Sequence, residues 1–118
     1  SVLVTGSLTL AGIQYLANSI TLSSTSLAVI DTFPVASYRS GKYLVSITDD
    51  TSPATFQASE ILVMQDGSSS YLTEYAVVRT GSSLGSFTTD VSGGNARLMF
   101  TPTVSNSTIK ISRTLLGV

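Results

Sequence analysis

Cysteine, histidine and tryptophan are all absent from this 118-residue chain. Without cysteine there is no disulfide, no thiol nucleophile and no Cys-based redox chemistry, and without histidine there is no imidazole general base. Together the two absences remove the ordinary zinc ligand sets. Charge is scarce as well: 11 % of residues are charged, against about 25 % in an average soluble domain. The net charge of −1 removes the electrostatic case for nucleic acid or an anionic lipid surface as partner. Residues 1–30 carry no charge at all, Asp31 being the first. That stretch does not read as a membrane insertion, because Ser, Thr, Gly, Gln14 and Asn18 interrupt the ~20 mostly apolar residues a span requires. Ser1–Leu10 has neither the basic start nor the cleavage-like site of a signal peptide, and a start without Met is expected of a fragment or a processed product.

What the chain does have is hydroxyl groups and β-formers. Ser (21) and Thr (16) make up 37 of the 118 residues, so the surface is neutral and polar. Apolar residues reach 42 %, enough for one small core in a chain of single-domain length. β-branched and aromatic residues fill the apolar runs, and turn residues separate them. Lys42–Thr48 puts Tyr43, Val45 and Ile47 on one face, and Asp49–Pro53 breaks it. Glu60–Gln65 is apolar on both faces, which predicts a central strand covered twice. Asp66–Ser70 reads as a hairpin loop, with Asp66-Gly67 supplying the positive φ of a tight reversal. Tyr71–Arg79 returns, and Gly81–Gly85 ends it. Ser86–Val91, the reversal Ser92-Gly93-Gly94-Asn95, the strand Ala96–Thr101, the loop Pro102–Asn106 and the alternating Thr108–Ser112 complete the pattern. The expected core is Val45, Ile47, Ile61, Val63, Val77, Leu98, Phe100, Ile109 and Ile111.

The N-terminal third differs. Ile20–Leu22 and Leu27–Ile30 read as strands, and Val2–Gly12 as a neutral strand pair punctuated by Thr and Gly. The one stretch with a helical pattern, Gly12–Ala17, is too short for a helix. The expected organisation is an arm or stalk segment over residues 1–19 and a β-sandwich domain over residues 20–118. The fold class is all-β, an antiparallel, jelly-roll-like sandwich with an extended N-terminal β arm. Val2, Val4, Leu8 and Leu10 share one face of the arm at period two. An uncharged, β-prone segment of this kind aggregates if its edge stays open. Either sister chains of an oligomer cover it, or it forms edge strands of its own sandwich.

Few groupings suggest chemistry. Ser40 with Lys42 and Ser112 with Lys110 share strand faces, but nothing around them would lower a lysine pKa. Glu60 and Glu74 are the only carboxylate pair to weigh for glycoside cleavage. If the hairpin pairs Asp66 with Tyr71, Glu74 lies opposite Val63 and the two glutamates fall on opposite faces; a one-residue slip would bring them together. Asp49-Asp50 and Asp66-Gly67 are oxygen-rich turns without the spacing of a calcium loop. Asn106-Ser107-Thr108 fits a glycosylation tripeptide, relevant only on a eukaryotic secretory route. Among Tyr38, Tyr43, Tyr71 and Tyr75, Tyr43 falls in the core register. Tyr71 follows the loop, and with Ser68, Ser69 and Ser70 it is the candidate for receptor contact. The expectation is a protein without catalytic activity, cofactor or metal.

Two stretches carry a resemblance. Val4–Gly12 resembles segments of phage fibre and appendage stalks. Ala28–Phe33 with Ser37–Val45 is similar to a β-sandwich module in large virion structural proteins of tailed phages, the T4-like cyanophage type above all. Glu60–Gly67, Tyr71–Tyr75, Asp90–Leu98 and Ser112–Thr114 extend the similarity from about residue 27 to the end. Gly41, where Ala is commoner, and Pro53 depart from the pattern. The resemblance implies a virion protein assembled in the host cytoplasm, with other virion proteins and a host-surface glycan as partners. Two classes stay open: the distal, host-attaching module of a tail fibre, and a capsid or tail decoration protein. A carbohydrate-binding module is a third. Since such appendages are three-fold, the resemblance also implies a homotrimer, held in part by Val2, Val4, Leu8 and Leu10.

Overall fold

Period-two alternation becomes strand after strand in a computed structural model of the chain, which describes residues 6–118. Nine strands follow one another among those residues: β1 (Ser7–Leu10), β2 (Ile13–Leu22), β3 (Ala28–Pro34), β4 (Tyr38–Asp49), β5 (Phe56–Gln65), β6 (Ser70–Arg79), β7 (Gly85–Ser92), β8 (Asn95–Pro102) and β9 (Ser107–Gly117). They form a six-stranded sheet in the order β1-β2-β9-β4-β5-β6 and a three-stranded sheet in the order β3-β8-β7. Every pairing is antiparallel. The chain crosses between the sheets from β2 to β3 to β4 and again from β6 to β7 and from β8 to β9, the wiring of a jelly-roll-like sandwich.

Turn chemistry fixes the register. Gly93 and Gly94 both have positive φ (59° and 81°) and close Ser92 onto Asn95, which is what a two-residue hairpin needs to match strand twist. Ala11 and Gly12, at φ 49° and 81°, do the same between Leu10 and Ile13. Gly12–Ala17 therefore opens as a turn and continues as β2.

The core lies between the sheets. Tyr43, Val45, Ile47, Ile61, Val63, Ile109, Ile111 and Leu115 of the wide sheet meet Ile30, Phe33, Phe87, Ala96, Leu98 and Phe100 of the narrow one. Phe87 and Phe100 pack ring on ring, with centroids 4.8 Å apart. Gly85 makes room for them, since a Cβ there would lie 2.3 Å from the Phe100 ring. The expected core position Val77 is an exception, at 46 % exposure. Ala76 adopts φ 52°, and the β5–β6 register shifts between Ala58 and Glu60. The bulge re-aims the side chains beyond it and gives Val77 the inward register of Gln57 and Ser59, but β6 is the outer strand of a sheet twice as wide as the layer opposite, so Val77 stays half open.

β5 is also not covered twice. Its inner residues are buried, but Leu62 and Met64 on the other face are 45 % and 48 % exposed. No second layer lies over that side among the described residues. The boundary expected at residue 20 falls inside β2, which pairs with β9 from Ile13–Leu116 to Leu22–Ser107. Residues 7–19 thus make β1 and most of β2, at one edge of the wide sheet. Val2 and Val4 lie outside the described residues.

Candidate functional site

The β5–β6 hairpin is tied down from below. Gln65, fully buried, donates from Nε2 to the carbonyls of Val35 (2.9 Å) and Tyr38 (2.8 Å), and its Oε1 accepts from Gly67 N–H at 2.5 Å. Arg39 Nη1 donates to the Gln65 carbonyl at 3.0 Å. Above it, Asp66 Oδ1 accepts from the backbone N–H of Ser69 (2.9 Å) and Ser68 (3.1 Å). These two donors hold the Asp66 carboxyl below the usual carboxylate range. The turn is a fixed shape rather than a floppy linker.

On that turn the expected contact residues separate. Ser68, Ser69 and Tyr71 are exposed, and the Tyr71 hydroxyl sits 3.5 Å from Asp66 Oδ2. Ser70 turns the other way, its Oγ accepting from Thr89 Oγ1 at 3.0 Å. Hairpin closure at Gln65–Ser70 puts odd-numbered residues of β6 outward up to the bulge. Tyr71 therefore stands both on the tip and on the outer face of the wide sheet. It borders a shallow hollow of about 290 Å³ with Leu62, Met64, Leu72 and Thr73. A second hollow of about 290 Å³ involves Leu8, Tyr15, Ala17 and Ser112 on the same face. A smaller one lies between them beside Leu44, Ser46 and Lys110, and another lies at the far end of β5 and β6 beside Phe56, Ala58 and Val78. Leu8 and Leu10 pair with Tyr15 and Ile13, so the described part of the arm stripe continues this face.

The other candidates are dispersed. Glu74 lies opposite Ile61, not Val63. The shift is two residues, so parity is kept: Glu60 faces outward and forms an ion pair with Lys42 (3.7 Å), while Glu74 faces inward. Asp49 is consumed by its own turn, accepting from Thr51 N–H (2.9 Å) and Oγ1 (2.6 Å), and these bonds lower its pKa. Asp50 accepts from Thr108 Oγ1 at 2.7 Å. Among the described residues no group of three or more acidic side chains gathers to hold a metal ion.

One polar cluster was not legible beforehand. Arg113 on β9 donates to Asp31 Oδ2 (2.6 Å), the Thr32 carbonyl (3.0 Å) and Gln14 Oε1 (2.7 Å). The Tyr43 hydroxyl donates to the same Asp31 oxygen at 2.6 Å. Burial, reinforced by the Asp31 charge, pushes the Tyr43 phenol far above its ordinary range. Asp31 comes from the narrow sheet and the other side chains from the wide one, so the cluster ties the layers together.

No protein-family model and no curated protein matches the chain. Solved structures do. The tailspike protein of Acinetobacter phage vB_ApiP_P1 matches 100 % of the chain at 19 % identity and a TM-score of 0.51. The tailspike of Acinetobacter baumannii phage AM24 matches 92 % at 7 % identity and 0.51. The tailspike gp49 of Acinetobacter baumannii bacteriophage Fri1, described as a capsular polysaccharide depolymerase, matches 96 % at 13 % identity and 0.54. The chain spans only 24 %, 27 % and 20 % of these proteins. At such identities the likeness establishes a shared β-sandwich fold. All three neighbours are Acinetobacter phage proteins, and the T4-like cyanophage type is not what they show.

They also correct an expectation. The lack of His and Cys and the weak pairing of Glu60 with Glu74 suggested a protein without catalytic activity, yet this fold occurs within a tailspike described as a depolymerase. The physical reason is that the groups that cleave in such a protein need not lie in the 20 % of it that this fold matches.

The residues that sequence reasoning passed over are those of the outer face: Leu44, Leu62, Met64, Leu116 and Tyr15. The signal was present in Glu60–Gln65, apolar on both faces, and in the single Leu44 on the outer side of Lys42–Thr48.

Proposed function

We propose that this chain is a distal module of a phage tail appendage of the tailspike kind, part of the virion, with a role in attachment to host-surface polysaccharide. The observation that carries this reading is that 92–100 % of the chain matches portions of three different phage tailspikes. Capsular polysaccharide cleavage, named for the Fri1 protein, is the activity proposed for the larger protein that the module serves. The module works as a homotrimer beside other virion proteins.

The hairpin tip supplies the chemistry for a sugar. The exposed Tyr71 ring is a flat apolar platform for the C–H face of a pyranose. The Asp66 carboxylate beside it and the Ser68 and Ser69 hydroxyls are hydrogen-bond partners for sugar hydroxyls. Because the turn is held by Gln65 and Asp66, little ordering entropy is lost on binding.

The test is retention of the chain on capsular polysaccharide from cells that the parent phage infects. Tyr71→Ala is expected to weaken retention at least about tenfold, on the scale of one aromatic anchor, with far-UV circular dichroism unchanged. Equal retention of both proteins would remove Tyr71 from the contact. No retention of the unaltered chain on any such polysaccharide would overturn the attachment role.

A further inference from the structure

We infer that the outer face of the six-stranded sheet is where copies of this chain meet, with Leu44, Leu62 and Met64 at the centre of the contact and Leu116 and Tyr15 towards the arm. The inference rests on the homo-oligomeric reading above and names the surface responsible. The arm stripe becomes one margin of a much larger patch.

Size is the first argument. Six strands about 4.8 Å apart and about ten residues long at ~3.3 Å each present a face on the order of 800 Å². That is about what each partner contributes to an interface of standard size. Leu44 and Leu116, at 55 % and 49 % exposure, lie well open on this face.

Composition is the second. By register, the charged residues facing outward from the six strands, among the described residues, are Lys42, Glu60 and Lys110. Lys42 and Glu60 already neutralise each other at 3.7 Å. Three such faces can therefore converge on a shared three-fold axis with little like-charge repulsion and few ions to desolvate. Depletion of charge with enrichment of Met and aromatic residues is the compositional mark of an interface centre. Between the large side chains stand Ser46, Ala58, Thr73 and Ser112, which leave the shallow hollows described above. A protruding Leu or Met of a second copy fits such hollows.

The third argument selects the occupant. A glycan would need polar groups interleaved with rings, and these lie at the hairpin tip, whereas the centre of the face is aliphatic. A nucleic acid or membrane headgroup would need a cationic surface, and two lysines do not make one.

The test is sedimentation equilibrium of the intact chain and three double variants, with a thiol reporter. The chain has no cysteine, so Ser46→Cys places a single thiol at the centre of the face. The intact chain is expected to be oligomeric at micromolar concentration. Leu44→Glu with Leu62→Glu should weaken association by on the order of a hundredfold, as for loss of two buried anchors. Maleimide should label Ser46→Cys slowly in the oligomer and at least tenfold faster once those charges are added. Circular dichroism confirms folding, and Leu44→Ser with Leu62→Ser is a milder pair should the glutamates unfold the chain. If assembly survives both pairs but is lost in Leu8→Asp with Leu10→Asp, the face is not the contact and the arm alone is. Rapid labelling of Ser46→Cys in an intact oligomer would also overturn the inference. A monomeric intact chain would overturn both this inference and the oligomeric reading beneath it.

Discussion

The two faces of the six-stranded sheet are made of the same kinds of side chain and have opposite fates. On β5, Ile61 and Val63 point inward and are buried, while Leu62 and Met64 between and beyond them are about half exposed. On β4, Tyr43 and Val45 are buried on either side of an exposed Leu44. Hydrophobicity does not separate these residues. The three-stranded layer does, because it lies over one face. An apolar residue becomes core only where a second layer exists to receive it, and a strand that is apolar on both sides reports two surfaces to be covered without saying by what.

The comparison can be broken most severely at the cluster that joins the layers. Arg113→Ala leaves Asp31 buried without its cation, and chemical unfolding should show a loss of about 3–5 kcal/mol. Replacing both residues with apolar ones of similar volume should recover much of that loss. Next comes the adjacent pair on β5. Ile61→Ala should cost about 2–5 kcal/mol. Leu62→Ala should change folding of the separated chain by no more than about 0.5 kcal/mol, with urea titration at high dilution as the check. A large effect at Leu62 under those conditions would mean that its face is already covered within one chain.

The smallest expected effect is local and depends on pH. Asp66 has a lowered carboxyl pKa because Ser68 and Ser69 N–H groups bond its ionised form. Its contribution is therefore complete above the ordinary carboxylate value of about 3.9 and is lost as pH falls through the lowered folded value. The amide resonances of Ser68 and Ser69 should move together with a midpoint below that ordinary value, while core amides stay still.

Alternation made most of the sandwich legible. Val45, Ile47, Ile61, Val63, Leu98, Phe100, Ile109 and Ile111 are buried as their period predicts. Val77 failed for want of cover: beyond the bulge at Ala76 it shares the inward register of Gln57 and Ser59, but it stands on the outermost strand of a sheet twice as wide as the layer opposite, which no local residue type announces. The β5–β6 register was misjudged by two residues, because the turn closes at Gln65–Ser70 and not one step later. Tyr71 was readable as exposed because it follows an Asp-Gly turn. The Arg113–Asp31 pair was not readable, since 82 residues separate the partners and only the fold brings them together.

The hydrogen bond from Gly117 N–H to the Gly12 carbonyl, 2.8 Å long, has a mechanical consequence. It closes the ladder at the point where β2 starts and β9 ends, beside the Ile13–Leu116 pair. Tension applied between residues 12 and 117 would pull two neighbouring strands apart from the same end. The β2–β9 bonds would then break one after another, as in a zipper, instead of resisting together in shear. Strands joined in this way yield at low force to tension between residues 12 and 117, and would be the weak point of any path that carried load through that pair.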